Sequence, residues 1–104
     1  MDVSRKYNKT STTLRLSGEC TIYHAAGAKD ALLGDSKGFD KTVQLNLEHV
    51  SELDTAGVQL LLMLQKAVQA AGGTLHLQAS NETVDQVLRI FHLPAPLQPL
   101  EARP

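Results

Sequence analysis

The chain has no tryptophan, one cysteine and only four aromatic residues (two Tyr, two Phe) in 104 residues. The single cysteine, Cys20, excludes an internal disulfide, supplies no zinc-binding spacing and fits a reducing compartment. Neither sign of charge prevails: ten basic and eleven acidic residues leave a formal net charge of -1. That balance provides neither the basic surface a nucleic acid needs nor a polybasic membrane patch. Long apolar runs are missing as well. The run Leu60 to Leu64 is closed by Gln65 and Lys66, far short of the roughly 20 residues that span a bilayer, so no membrane insertion is expected. The opening Met1 to Lys6 carries Asp2 and leads to no apolar stretch, which argues against a signal peptide. No glycine-rich phosphate loop of the Walker or dinucleotide type occurs. These exclusions leave an ordinary cytoplasmic domain, of a size that folds around one core.

Periodicity supplies the rest of the outline. Val3 to Tyr7 reads as a weak edge strand, and Thr12 to Ser17 as a better one that Gly18 stops; the two are close enough to form a hairpin. Gly18 to Thr21 reads as a loop whose Thr21 caps a helix over about 22–33, with Ile22, Ala25, Ala26, Ala28, Leu32 and Leu33 available to a core. Gly27 weakens that helix by about 1 kcal/mol relative to Ala. The segment 34–38 reads as a polar loop. Thr42 to Glu48 alternates cleanly and predicts a strand with one buried face. A polar loop, Val50 to Gly57, then leads into an apolar helix from about Thr55 to Ala71, ended by Gly72-Gly73. Thr74 to Ala79 is a further alternating strand. Ser80 or Asn81 can cap a last helix over about Glu82 to Phe91. Pro94, Pro96 and Pro99 exclude regular helix beyond it, so the ordered core should cover about 3–93, with a Pro-rich tail over 94–104 and room for a short edge strand at Leu97 to Leu100.

Strands that alternate with helices imply parallel pairing through crossovers. Each strand shows one apolar and one polar face, whereas a doubly covered parallel sheet reads as continuous apolar runs. The expected architecture is a single α/β domain with a mostly parallel sheet of four to five strands and its helices on one face.

Catalytic chemistry finds little support. His24, His49, His76 and His92 are scattered without metal-ligand spacing, Cys20 has no evident partner, and no general base accompanies Asp54 and Thr55. No catalytic residue, metal or cofactor is expected. The informative place is the junction Leu53-Asp54-Thr55-Ala56-Gly57, where a helix begins. A helix start presents unpaired N–H groups and the positive end of its dipole. The plain reading is that Asp54 or Thr55 is the N-cap. The sharper one is phosphorylation of Thr55, since a helix N-terminus tolerates an anion.

The central strand Val43 to Leu47, the junction Val50 to Gly57 and the Leu-rich helix after it resemble the STAS domains, a family named for sulphate transporters and anti-sigma factor antagonists. The resemblance reaches back to Leu16-Ser17-Gly18-Glu19 and forward through Gly72-Gly73 to the 84–93 helix. It implies a one-sided β/α fold and a non-enzymatic binding module. In the antagonists of this family the hydroxyl residue after the Asp is phosphorylated by a serine-kinase anti-sigma factor, and a PP2C-type phosphatase resets it. Carried over, Thr55 becomes the acceptor. The partner surface then comprises Asp54, Thr55, Ala56 and Gly57 together with Gly18, Glu19 and Thr21. The chain departs from the antagonists in having Thr as acceptor, no acidic residue where the Gly18-Glu19 loop continues into Cys20 to His24, and no C-terminal helix of the sporulation type. It looks more like the small STAS proteins of proteobacterial signalling and chemotaxis clusters. A different implication of the same resemblance is an accessory subunit of an ABC-type lipid transporter that binds the ATPase subunit.

Overall fold

The computed structural model describes residues 1–8, 10–33, 42–93 and 97. Two strands lead: β1 (Asp2–Tyr7) and β2 (Ser11–Cys20). Helix α1 (Ile22–Leu33), strand β3 (Thr42–Leu53), helix α2 (Thr55–Ala70), strand β4 (Thr74–Ala79) and helix α3 (Glu82–Phe91) follow. The described strands form one four-stranded sheet in the order β1-β2-β3-β4. β1 and β2 pair antiparallel, from Asp2 opposite Ser17 to Tyr7 opposite Thr12, and the Asn8 N–H donates to the Ser11 carbonyl at 2.8 Å to close the hairpin. The pairings of β2 with β3 and of β3 with β4 are parallel. The expected α/β architecture is therefore the one observed.

The alternation in the sequence becomes two unlike sheet faces. Leu14 and Leu16 of β2, Val43, Leu45 and Leu47 of β3, and Leu75 and Leu77 of β4 are buried, and they form one cluster with Val58, Leu60, Leu61, Leu64 and Val68 of α2 and Val84 and Leu88 of α3. Arg15, His76 and Gln78 on the opposite face are exposed. Each fully buried Leu or Val contributes about 1.5–3 kcal/mol relative to exposure, so α2 is the element on which the core most depends.

Several expectations change. β3 runs on through His49 to Leu53, and β2 through Gly18 to Cys20, where polar residues had suggested loops. The two tails pair with each other (Ser17 with His49, Gly18 with Val50, Glu19 with Glu52, Cys20 with Leu53) across two register shifts. That pairing satisfies backbone groups irrespective of side-chain type. Gly18 has a φ of +88° beside the second shift, a backbone state that favours glycine. Ile22, expected to face the core, is 68 % exposed. The side chains of Ala26, Ala28, Leu32 and Leu33, and the polar loop at 34–38, lie outside the described residues. So does most of the proposed Leu97 to Leu100 strand, although Leu97 itself is buried in the core.

The helix ends follow the chemistry of their residues. α2 stops in a paired motif: the Gly73 N–H donates to the Val68 carbonyl and the Gly72 N–H to the Gln69 carbonyl, with Gly72 at φ +84°. α3 is capped by Asn81, whose side-chain oxygen accepts from the Val84 N–H at 2.9 Å. The same amide donates to the carbonyls of Glu48 at 2.9 Å and Val50 at 2.7 Å, which ties α3 to the end of β3.

Candidate functional site

The junction between β3 and α2 lies beside the end of β2. The Asp54 N–H donates to the Cys20 carbonyl at 3.3 Å, continuing the pairing of the two strand tails by one residue. Asp54 is the N-cap of α2, with extended φ and ψ of -109° and -174°. Its Oδ1 accepts from the Gly57 N–H at 3.0 Å, and its Oδ2 accepts from the N–H of Ile22, the first residue of α1, at 2.9 Å. One carboxylate thus closes the N-termini of two helices. The Gly57 N–H, followed by that of Ile22, holds the Asp54 carboxyl below its usual range.

This arrangement corrects the expected cap of α1. The Thr21 carbonyl accepts from the Ala25 N–H, as an N-cap carbonyl does, but the buried Thr21 hydroxyl has no hydrogen-bond partner among the described residues. The orphan N–H of Ile22 goes to Asp54 instead, an acceptor 32 positions away in the chain. No local pattern pointed to that partner. The Asn81 bridge to β3 has no local signature for the same reason, although the sequence reads Ser80 or Asn81 as a cap.

Thr55, the first residue of α2, is exposed, and Ala56 beside it is half-buried. Gly57 faces inward. A Cβ there would overlap the Cys20 carbonyl oxygen and stand 2.7 Å from Leu53 Cδ1 and 3.0 Å from Cys20 Sγ, so glycine permits the first turn of α2 to lie directly on the end of β2. Cys20 is 1 % exposed, and burial, then the charge of Asp54, raises its thiol to a pKa of about 11. A neutral, enclosed thiol is a packing element and a poor nucleophile. Gly18 lies in the β2 tail and Glu19 on its exposed side. The residues the sequence linked, Gly18 to Thr21 and Asp54 to Gly57, are therefore brought together, with Thr55, Glu19 and part of Ala56 at the surface and Gly57 and Thr21 beneath it.

All four histidines are exposed, and the described residues contain no group of three or more His, Cys, Asp or Glu placed to hold a metal. No helix among them is long and apolar enough to cross a membrane. What the junction presents is an exposed Thr55 beside two helix N-termini that the Asp54 carboxylate holds together.

Comparison with known proteins agrees with this outline. The model of the family described as "Mlab, STAS domain" matches residues 3–99. The intermembrane phospholipid transport system binding protein MlaB of Escherichia coli K12 is 31 % identical over 103 residues, covering 95 % of this chain and 99 % of that one; the protein of the same name from Shigella flexneri matches equally. Among solved structures, the anti-sigma factor antagonist SpoIIAA in its unphosphorylated form superposes with a TM-score of 0.73 at 22 % identity, over 88 % of this chain and 82 % of that one. An anti-sigma factor antagonist from Mycobacterium paratuberculosis gives a TM-score of 0.73 at 15 % identity, over 88 % and 77 %. At these identities the structures speak for the fold, and the sequence matches for the family. The chain belongs to the STAS domain family.

Proposed function

We propose that this chain is the STAS subunit of a phospholipid transport system and works by docking, through the junction around Thr55, on the system's ATPase subunit. The observation that carries this reading is the end-to-end match to a phospholipid transport binding protein, 31 % identical over nearly the whole of both chains. The geometry supports it. A docking subunit needs a rigid, exposed surface, and the two hydrogen bonds of Asp54 fix the relative positions of the first turns of α1 and α2. Nothing in this role requires the chain to make or break a bond. In this reading the protein acts in the cytoplasm, on the side of the membrane where ATP is hydrolysed. Co-expression with an affinity-tagged ATPase subunit of the same organism's phospholipid transporter tests it. The expected result is stoichiometric co-purification that Thr55→Glu, which places a charge at the centre of the surface, abolishes. An ATPase subunit that purifies alone from cells containing the unaltered chain would overturn the reading.

A second reading rests on the exposure of Thr55 at a helix start, in a fold shared with anti-sigma factor antagonists. A serine kinase of the anti-sigma type would phosphorylate Thr55 and a PP2C-type phosphatase would reverse the step. The added dianion would be favoured by the helix dipole and opposed by the adjacent Asp54 carboxylate, and it would disfavour any acidic or apolar partner surface. Intact-mass measurement of the protein from its own cells decides it, because absence of the mass of a phosphoryl group on Thr55 under all growth conditions leaves the first reading alone.

A further inference from the structure

Next to Thr55 the surface carries two large apolar side chains that the fold does not use. Ile22 is 68 % and Tyr23 88 % exposed, and they open α1 at the point where Asp54 holds the Ile22 N–H. A side chain left in water at a position held this firmly suits a partner's pocket, and a protruding Tyr is a frequent energetic anchor in protein interfaces. A second feature borders the pair. Glu19 and Glu52 stand opposite one another on neighbouring strands, both exposed, and neither side chain has an ion pair or hydrogen bond among the described residues. Two like charges on neighbouring strands repel, by at most about 1 kcal/mol where both are exposed. Glu19 lies three residues before Ile22, so their Cα atoms are at most about 11 Å apart, within the footprint of one ordinary interface.

We infer that the ATPase subunit's contact extends from Thr55 over the first turn of α1, with Tyr23 and Ile22 entering an apolar recess of the partner and a Lys or Arg of the partner seated against Glu19 and Glu52. This rests on the reading proposed above and specifies its partner chemistry. The carboxylate pair costs stability in the free chain and is relieved when the partner's cation arrives, so the two states respond in opposite directions to a single substitution. Glu52→Lys converts the repelling pair to an attracting one and raises the thermal midpoint of the free chain by about 2–4 °C, while it weakens binding by placing like charge against the partner.

The test is calorimetric titration of the purified chain with the purified ATPase subunit at low and high salt. The unaltered chain should bind more weakly as salt screens the acidic rim. Tyr23→Ser, on a side chain the fold leaves in water, should retain the thermal midpoint and lose about tenfold or more in affinity. Glu52→Lys should gain stability, lose affinity and lose most of the salt dependence. Binding by the unaltered chain with both variants within about twofold of it, or without salt dependence, overturns the inference and leaves the proposed function standing. Absence of binding by the unaltered chain overturns both.

Discussion

The carboxylate of Asp54 accepts the backbone N–H of Ile22 at 2.9 Å while its other oxygen caps α2 through Gly57 at 3.0 Å. One side chain thereby serves the N-termini of two helices, α1 after β2 and α2 after β3. Its removal acts on both. Asp54→Ala should lower unfolding free energy by about 1–2 kcal/mol, the range of a lost N-cap, as read from urea denaturation. The loss should be accompanied by faster amide exchange in the first turns of both α1 and α2. Protection unchanged in α1 would show that its N-terminus does not depend on Asp54.

The same carboxyl has a pH signature. Its pKa in the folded chain is lowered, first by the Gly57 N–H and then by that of Ile22. A depressed carboxyl contributes stability that is present above its unfolded value, about 3.9, and is lost as pH falls through the folded one. Asp54→Asn keeps a capping oxygen and removes the charge. The stability difference between the two proteins should be constant near neutrality and shrink below about pH 4, measured by denaturant midpoints across that range. A difference independent of pH would remove the charge from the account.

Two glycines should respond oppositely to the same methyl group. Gly57→Ala drives a Cβ into the Cys20 carbonyl oxygen and against Leu53 and Cys20 side-chain atoms. Backbone oxygen cannot move aside cheaply, so a loss of about 3 kcal/mol is expected, at the upper end of overpacking. Gly27 sits within α1 with nothing within 4 Å of a built Cβ, and Gly27→Ala should stabilise by about 0.5–1 kcal/mol through helix propensity alone. Thermal melts of the pair check both signs.

Cys20 is buried and its thiol is raised to about 11, chiefly by desolvation. Iodoacetamide at pH 8 should therefore label the native chain far more slowly than the urea-unfolded one. Because the raised value favours the neutral thiol, its contribution to stability is whole below the unfolded cysteine pKa, about 8.5, and declines as pH rises toward the folded one. Rapid native labelling would mean that the α2–β2 contact opens readily.

Asn81 contributes both a cap and donors. Its amide bonds the Glu48 and Val50 carbonyls while its oxygen caps α3. Asn81→Asp preserves the cap but turns a donor into an acceptor facing carbonyl oxygens, so it should destabilise by about 1–3 kcal/mol, although Asp is an equally good cap in isolation. Equal stability of the two in urea would show that the bridge to β3 contributes nothing.

Element order, the one-sided patterning of β3 and β4, a cap at Asp54 or Thr55 and another at Ser80 or Asn81, and the family resemblance at Leu53 to Gly57 were all legible in the chain, and the structure selects Asp54 and Asn81 as the caps. They depend on neighbours within a few residues, and helical or strand periodicity expresses such short-range preferences directly. The strand tails to Cys20 and Leu53, the exposure of Ile22, the burial of Thr21 and the fit of Gly57 over Cys20 were not legible. Each depends on the parallel register of β2 and β3, two segments separated in the chain by α1, and backbone pairing across such a distance leaves no mark on local residue type. Asp54 belongs to both groups. Its residue type announces a cap for the helix that follows it, and only the packed sheet brings the N-terminus of a second helix to its other oxygen.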